Sequence, residues 1–291
     1  MKMFKKVFKY DFAYVKRFWW IITASVLGIS FFGSLVYRFL AVFDTTRASA
    51  QEMFLYVSGE IFLVACFIAV PVSFIAPQIL CYVRFYKNFF TDEGYLTFTL
   101  PVSRRTLFLS KVVNTVLWTV IHAALMLAAV AIVITIAPVP DRGDLLDLHV
   151  WEAIGRFFSH CWEGIGGWLI VYIFEGILLA VAAAWFTCSL ISTCVTIGAV
   201  VAKKHKILAA FGVYYGINMA SSFLMQLAAG LGVVFVVVPV TDLLVMGDFS
   251  VNTICLVISL MLLILLLMEA AVACLFHFLA LGKLERKLNL S

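Results

Sequence analysis

Charge is what this chain has least of. Aspartate, glutamate, lysine and arginine together make up 13% of its 291 residues, about half the share found in an ordinary soluble domain. Hydrophobic residues reach 64% and mean hydropathy is +1.09. So little polar surface cannot cover one water-soluble core, which excludes a soluble enzyme, a disordered chain and a nucleic-acid binder. Catalytic motifs are missing as well. Gly282 and Lys283 are followed by Leu284 and lack the upstream glycine of a P-loop, and neither H-E-x-x-H nor G-x-S-x-G occurs. The chain itself is therefore expected to be no enzyme, with no catalytic residue, bound cofactor or metal. The seven cysteines have no metal-ligand spacing. Five of them, Cys66, Cys188, Cys194, Cys255 and Cys274, lie inside apolar runs, and Cys81 ends one. Cys161 shares a polar loop with His149 and His160, again without a ligand pattern.

Six apolar runs are present, at 18–43, 54–83, 107–137, 165–202, 207–238 and 251–281. Each exceeds the roughly 20 residues that span a bilayer as a helix. The first follows a basic segment but is too long for a signal h-region and has no small-residue cleavage site, so it reads as a retained span. The expected fold is all-α: a polytopic membrane protein of six transmembrane helices preceded by an interfacial amphipathic helix. Residues 1–17 form that helix, 18–282 the transmembrane domain and 283–291 a tail. A segment at 84–105 lies on the side of the termini, and loops at 44–53, 138–163 and 238–250 lie on the other. Aromatic Trp151, Phe157, Phe158 and Trp162 suit the second outer loop to a short interfacial helix, and the third, broken by Pro239, suits a re-entrant element.

Lysine and arginine set the orientation. Of 21 basic residues, 17 flank the runs on the side of the termini and four lie on the other side. By the positive-inside rule both termini are expected to be cytoplasmic. The formal charge of +5 is thus a topology signal. In the first segment Phe4, Val7, Phe8, Phe12 and Val15 recur at helical spacing among five lysines, the pattern of a basic helix lying in the headgroup region.

Several positions bear on function. Thr91, Asp92 and Glu93 have the look of a helix start, with acids placed favourably for its dipole. Gly94 weakens or turns that helix, Ser103 can cap the next, and Tyr95, Leu96, Phe98 and Leu100 are apolar in a water-facing segment. They either dock a partner or pack back on the helix ends. Within the spans, Glu175 and Glu269 are carboxyls at hydrocarbon depth, to be read as cavity contacts or as groups held by a neighbouring hydroxyl or amide. His122 and His277 read as hydrogen-bonded structural residues, and Asn218 and Gln226 as bonds between helices or cavity polar groups. Gly212 and Gly216 form a G-x-x-x-G pair suited to close helix packing, including against another subunit.

With these residues in view, the chain resembles bacterial ABC transporter permeases of the ABC-2 type. The resemblance rests on FKYDF at 8–12, on DEGYLTFTLPVS at 92–103, and on Lys111 at the start of the third run. Its layout of interfacial helix, six spans and cytoplasmic ends covers the whole chain, and the 92–103 stretch is its most specific part. What the resemblance implies is a permease subunit whose ATP and Mg are bound by a separate P-loop ATPase. Asp92, Glu93, Gly94, Tyr95, Leu96 and Phe98 would form the coupling helix that docks on that subunit. Phe4, Phe8 and Phe12 would belong to the interfacial helix near it. Partners would be the ATPase, a second copy or a related permease, and membrane lipids, with no nucleic acid. Export is the expected direction. Two other readings stand beside it: an ion- or proton-coupled secondary transporter using Glu175 or Glu269, and a non-transporting scaffold or immunity protein.

Overall fold

A computed structural model describes residues 2–42, 49–137, 149–202, 205–232 and 250–286. Among the described residues there are eight α-helices and no strand: α1 Lys2–Val42, α2 Ala50–Phe90, α3 Asp92–Phe98, α4 Arg104–Ile136, α5 His149–Ile165, α6 Trp168–Val201, α7 Lys206–Gly232 and α8 Val251–Arg286. Five of them, α1, α2, α4, α6 and α8, are long and apolar enough to cross a membrane. Their outward faces carry bare hydrophobic side chains, such as Phe67 at 82% and Leu127 at 73% exposure. Apolar surface on that scale has hydrocarbon, not water, as its stable surroundings. The chain is thus a polytopic helical membrane protein.

The expected boundary after residue 17 is not marked by a break. α1 continues through Arg17 into the apolar run, because no glycine or proline interrupts the segment and residues on both sides of it pack on the same neighbours. Similarly, 50–53 belong to α2 and not to a loop, and Ser49 explains why. Its N–H donates to Glu52 Oε2 at 2.7 Å while its hydroxyl accepts from the Glu52 N–H at 3.4 Å. This reciprocal capping box satisfies two orphan donors at the helix start. In the expected 138–163 loop, residues 149–165 form α5, which also carries Cys161. Gly166, at φ +55°, then turns the chain into α6, a conformation that costs glycine little. Residues 44–48, 138–148, 238–249 and 287–291 lie outside the described residues.

The helices group into two compact units. One comprises Met1–Arg84 and Val113–His160. Its core is Val15, Cys81 and Trp118 near one end, and Val26, Leu125 and Ala129 farther along, with Trp19 packed against both clusters. The Phe4, Phe8 and Phe12 rings stack in a row 6.0 Å apart, and Phe12 stacks on Trp118 at 4.8 Å. The lower end of α1 is therefore anchored by aromatic packing as well as by its amphipathic pattern.

The other unit comprises Phe85–Val112 and Cys161–Ser291. Here α6 is the shared partner of α7 and α8. Gly198 allows the close crossing of α6 and α7, since a Cβ there would fall on the backbone of Ala210. Against α8, the Thr193 hydroxyl bonds the Phe276 carbonyl at 2.8 Å and the Tyr172 hydroxyl bonds the Cys255 carbonyl at 2.9 Å. Polar ties of this sort help hold helices together where lipid offers no hydrophobic drive.

Candidate functional site: the short helix between α2 and α4

The segment at 84–105 is built as a tight corner. α2 ends at Phe90, Thr91 forms a bend, and α3 begins at Asp92. Thr91 is not the side-chain cap its position suggests. Its hydroxyl turns back to the Lys87 carbonyl at 2.6 Å, a competing local bond open to any threonine one turn past a free acceptor. The Thr91 carbonyl instead accepts the Gly94 N–H at 2.7 Å. Gly94 is buried, and a Cβ on it would lie 3.0 Å from the Phe89 carbonyl oxygen. Its role is therefore to let α3 fold closely against the end of α2. At the other side, the Ser103 hydroxyl accepts the Thr106 N–H at 3.3 Å and caps α4.

Side chains brace the corner from within. Phe85, Phe89 and Phe108 are almost wholly buried, with ring separations of 5.0 Å for Phe85–Phe89 and 5.8 Å for Phe85–Phe108. Phe98 reaches inward from α3 to Phe89 at 5.7 Å, and the Arg104 guanidinium covers its face at 5.0 Å. With its amide oriented to satisfy both atoms, Asn88 donates to Glu93 at 3.3 Å and accepts from Lys111 Nζ at 2.6 Å. Lys111 itself is only 6% exposed. Two helix C-termini also meet cations: Arg104 donates to the Leu284 carbonyl at 2.9 Å, and Lys206 to the Phe90 carbonyl at 3.5 Å. Both satisfy carbonyls left over at a helix end and oppose its negative pole.

Six positions were singled out on this segment by sequence. Asp92 and Glu93 are exposed, Gly94 is buried inside the turn, and Leu96 is 68% exposed. Phe98 packs inward, and the Tyr95 side chain lies outside the described residues. The corner thus presents an acidic helix start and two exposed leucines, Leu96 and Leu100. Sequence reasoning assigned no role to Asn88 or Arg104 and noted Lys111 only as part of a motif. A lone lysine heading an apolar helix was the available signal for the last.

The membrane-depth positions are more dispersed. The Ser259 hydroxyl donates to Glu175 Oε1 at 2.5 Å, while Glu175 Oε2 and Glu269 Oε2 are buried without a hydrogen-bond partner among the described residues. Among the described residues Asn218 makes no bond to another helix. Its amide returns to the Tyr214 carbonyl of its own helix at 3.1 Å, and Gln226 is exposed. A half-buried amide that finds no acceptor on a neighbouring helix turns to the carbonyl one turn back. Gly212 and Gly216 likewise face open space, so their pair is not used within the described chain. His122 is fully buried against Phe74 at 5.7 Å, and His277 lies edge-on to Phe108 at 4.9 Å. Neither His122 nitrogen, nor Nδ1 of His277, meets a hydrogen-bond partner of good geometry among the described residues. Aromatic packing holds both rings where sequence suggested hydrogen bonds. No cluster of His, Cys, Asp or Glu able to hold a metal occurs among the described residues.

Comparison of the chain with protein-family models, curated proteins and solved structures finds no match. Fold and site together define a class, a multi-pass helical membrane protein with a braced short helix joining two long ones.

Proposed function

We propose that the chain is the permease subunit of an ATP-binding-cassette transporter of the ABC-2 type, driven by a separate P-loop ATPase that docks on α3. The observation that carries this reading is the exposed Leu96 on a seven-residue helix fastened to α2 and α4. An apolar knob on a rigid corner can receive a push from a partner and pass it to two long helices. A loose loop would absorb the push instead. ATP and Mg belong to the partner, and its closing biases the permease between two arrangements.

In this reading α7 joins the five long apolar helices as a sixth span. Its 27 residues reach about 40 Å at the helical rise, more than the hydrocarbon thickness. The basic flanks support an orientation with both termini in the cytoplasm and the acidic loops outside, and the membrane in this reading is the bacterial inner one. The reading takes the substrate to be amphipathic or lipid-like and moved outward. Affinity purification of the full chain from its native host tests the proposal. A P-loop ATPase should come with it, and its loss on Leu96→Ala would fix the docking point. Purification without any such ATPase overturns the reading.

A second reading has one observation in its favour. The half-satisfied carboxyl of Glu175 suits a proton carrier. It requires transport by this chain alone in proteoliposomes under a proton gradient.

A further inference from the structure

Three helices of the first unit enclose a cavity of about 840 Å³, open along one side. We propose that it is a lipid-binding groove that takes the two acyl chains of a single phospholipid from the leaflet opposite the N-terminus. The inference rests on the membrane-spanning character of the helices and not on the permease reading.

Position is the first argument. The lining residues fall at 29–37 on α1, 63–71 on α2 and 129–137 on α4. Each stretch is nine residues tall, about 13 Å at the helical rise, close to half of a ~30 Å hydrocarbon core. On α1 and α4 it lies in the half remote from the Met1 end of α1, and on α2 it runs from that half to the middle of the helix. The groove therefore matches one leaflet in depth. Tyr37, half exposed, stands at its shallow end, where a tyrosine hydroxyl meets the headgroup region.

Chemistry is the second. No carboxylate, ammonium or guanidinium lines the groove among the described residues. Its floor is made by small side chains. Gly33 is buried against Cys66, with room for no more than a Cβ at 3.4 Å, and Ser34 folds its hydroxyl onto the Ser30 carbonyl at 2.6 Å. The rim is made by large ones, Val64, Phe67 and Val130, all exposed. A small floor between bulky rims produces a mostly apolar slot, whose polar groups are the hydroxyls of Ser30, Ser34 and Tyr37.

Size is the third and selects the occupant. A volume of about 840 Å³ over about 13 Å leaves a cross-section of roughly 60 Å². An α-helix with its side chains, 10–12 Å across, needs roughly 80–110 Å². A helix from a second copy or another protein would stand partly outside the slot. Hydrocarbon chains about 4–5 Å thick at carbon contact distance fit two abreast.

The test uses the full chain in nanodiscs containing a phosphatidylcholine with a mid-chain diazirine, followed by illumination and peptide mass spectrometry. Label should concentrate several-fold on 29–37, 63–71 and 129–137 relative to lipid-facing Ile61 and Ile264. Val130→Trp and Val64→Trp fill the groove from exposed rim positions and should spare the fold. They should return that labelling to the level of the lipid-facing surface with Tm unchanged. Equal labelling of groove and surface, or groove labelling indifferent to both variants, overturns the proposal. So does an oxidative dimer linked through Cys66, which would mean that a second copy occupies the groove. None of these results depends on an ATPase, so the permease reading stands or falls separately.

Discussion

Asp11 of α1 accepts a hydrogen bond from Arg84 Nε of α2 at 2.9 Å, and its side chain is almost wholly removed from solvent. The Arg84 guanidinium also lies 4.3 Å from the centre of the Tyr14 ring. The single acid of the basic N-terminal segment is thus a tether, fixing α1 to the last turns of α2. Removing one member of such a pair strands the other. Arg84→Ala should cost about 2–3 kcal/mol, short of a fully dry pair because Arg84 is 24% exposed. Replacing both residues by leucine should recover most of the loss. Denaturation of the unchanged chain, Asp11→Leu, Arg84→Leu and the double variant in one detergent measures the cycle, and additive losses would deny the coupling.

Leu96 and Phe98, two residues apart on α3, should separate docking from stability. Leu96→Ala removes exposed surface and should abolish capture of an ATPase while shifting Tm little. Phe98→Ala empties the contact with Phe89 and Arg104 and should destabilise the chain by about 1–3 kcal/mol. Matching Tm losses in the two variants would contradict this division.

At Gly94 the relevant neighbour is backbone. A methyl group set against the Phe89 carbonyl cannot be relieved by a rotamer change, so Gly94→Ala should displace α3 and cost roughly 1–3 kcal/mol. The functional readout is co-purification of the ATPase, expected to fall although no docking side chain has changed.

Gly198→Leu should be worse. Its side chain would have to occupy the place of the Ala210 backbone, forcing α6 from α7. The expected outcome is loss of folded protein at an ordinary growth temperature, read as recovery after detergent extraction. Gly212→Leu, on an open face, serves as the control and should fold. Should it fold but lose a dimer, the open glycine face would be the subunit contact.

Glu175→Gln keeps an acceptor for the Ser259 hydroxyl and removes the ionisable proton. An ATP-driven permease should retain transport within a few-fold. Abolished transport with normal folding would move the balance to proton coupling.

Much of this organisation was legible in the chain itself. A composition of 64% hydrophobic residues leaves no soluble alternative, and run lengths locate the long helices, because a bilayer imposes both the apolarity and the minimum length. The basic flanks carry a topology for a similar reason. Ser103 as a helix start was also readable, since capping is local chemistry. Other features depended on residues far apart in sequence, and only their meeting in space decided them. Asp11 gives no sign that Arg84 awaits it, and Phe98 and Leu96 look alike until one finds Phe89 and the other finds nothing. Asn218 looks like interhelical glue until its amide turns back to the Tyr214 carbonyl of its own helix. The groove at 29–37, 63–71 and 129–137 belongs to no single segment. Sequence determined which stretches leave water; side-chain packing between helices, which no local pattern encodes, decided what each stretch touches.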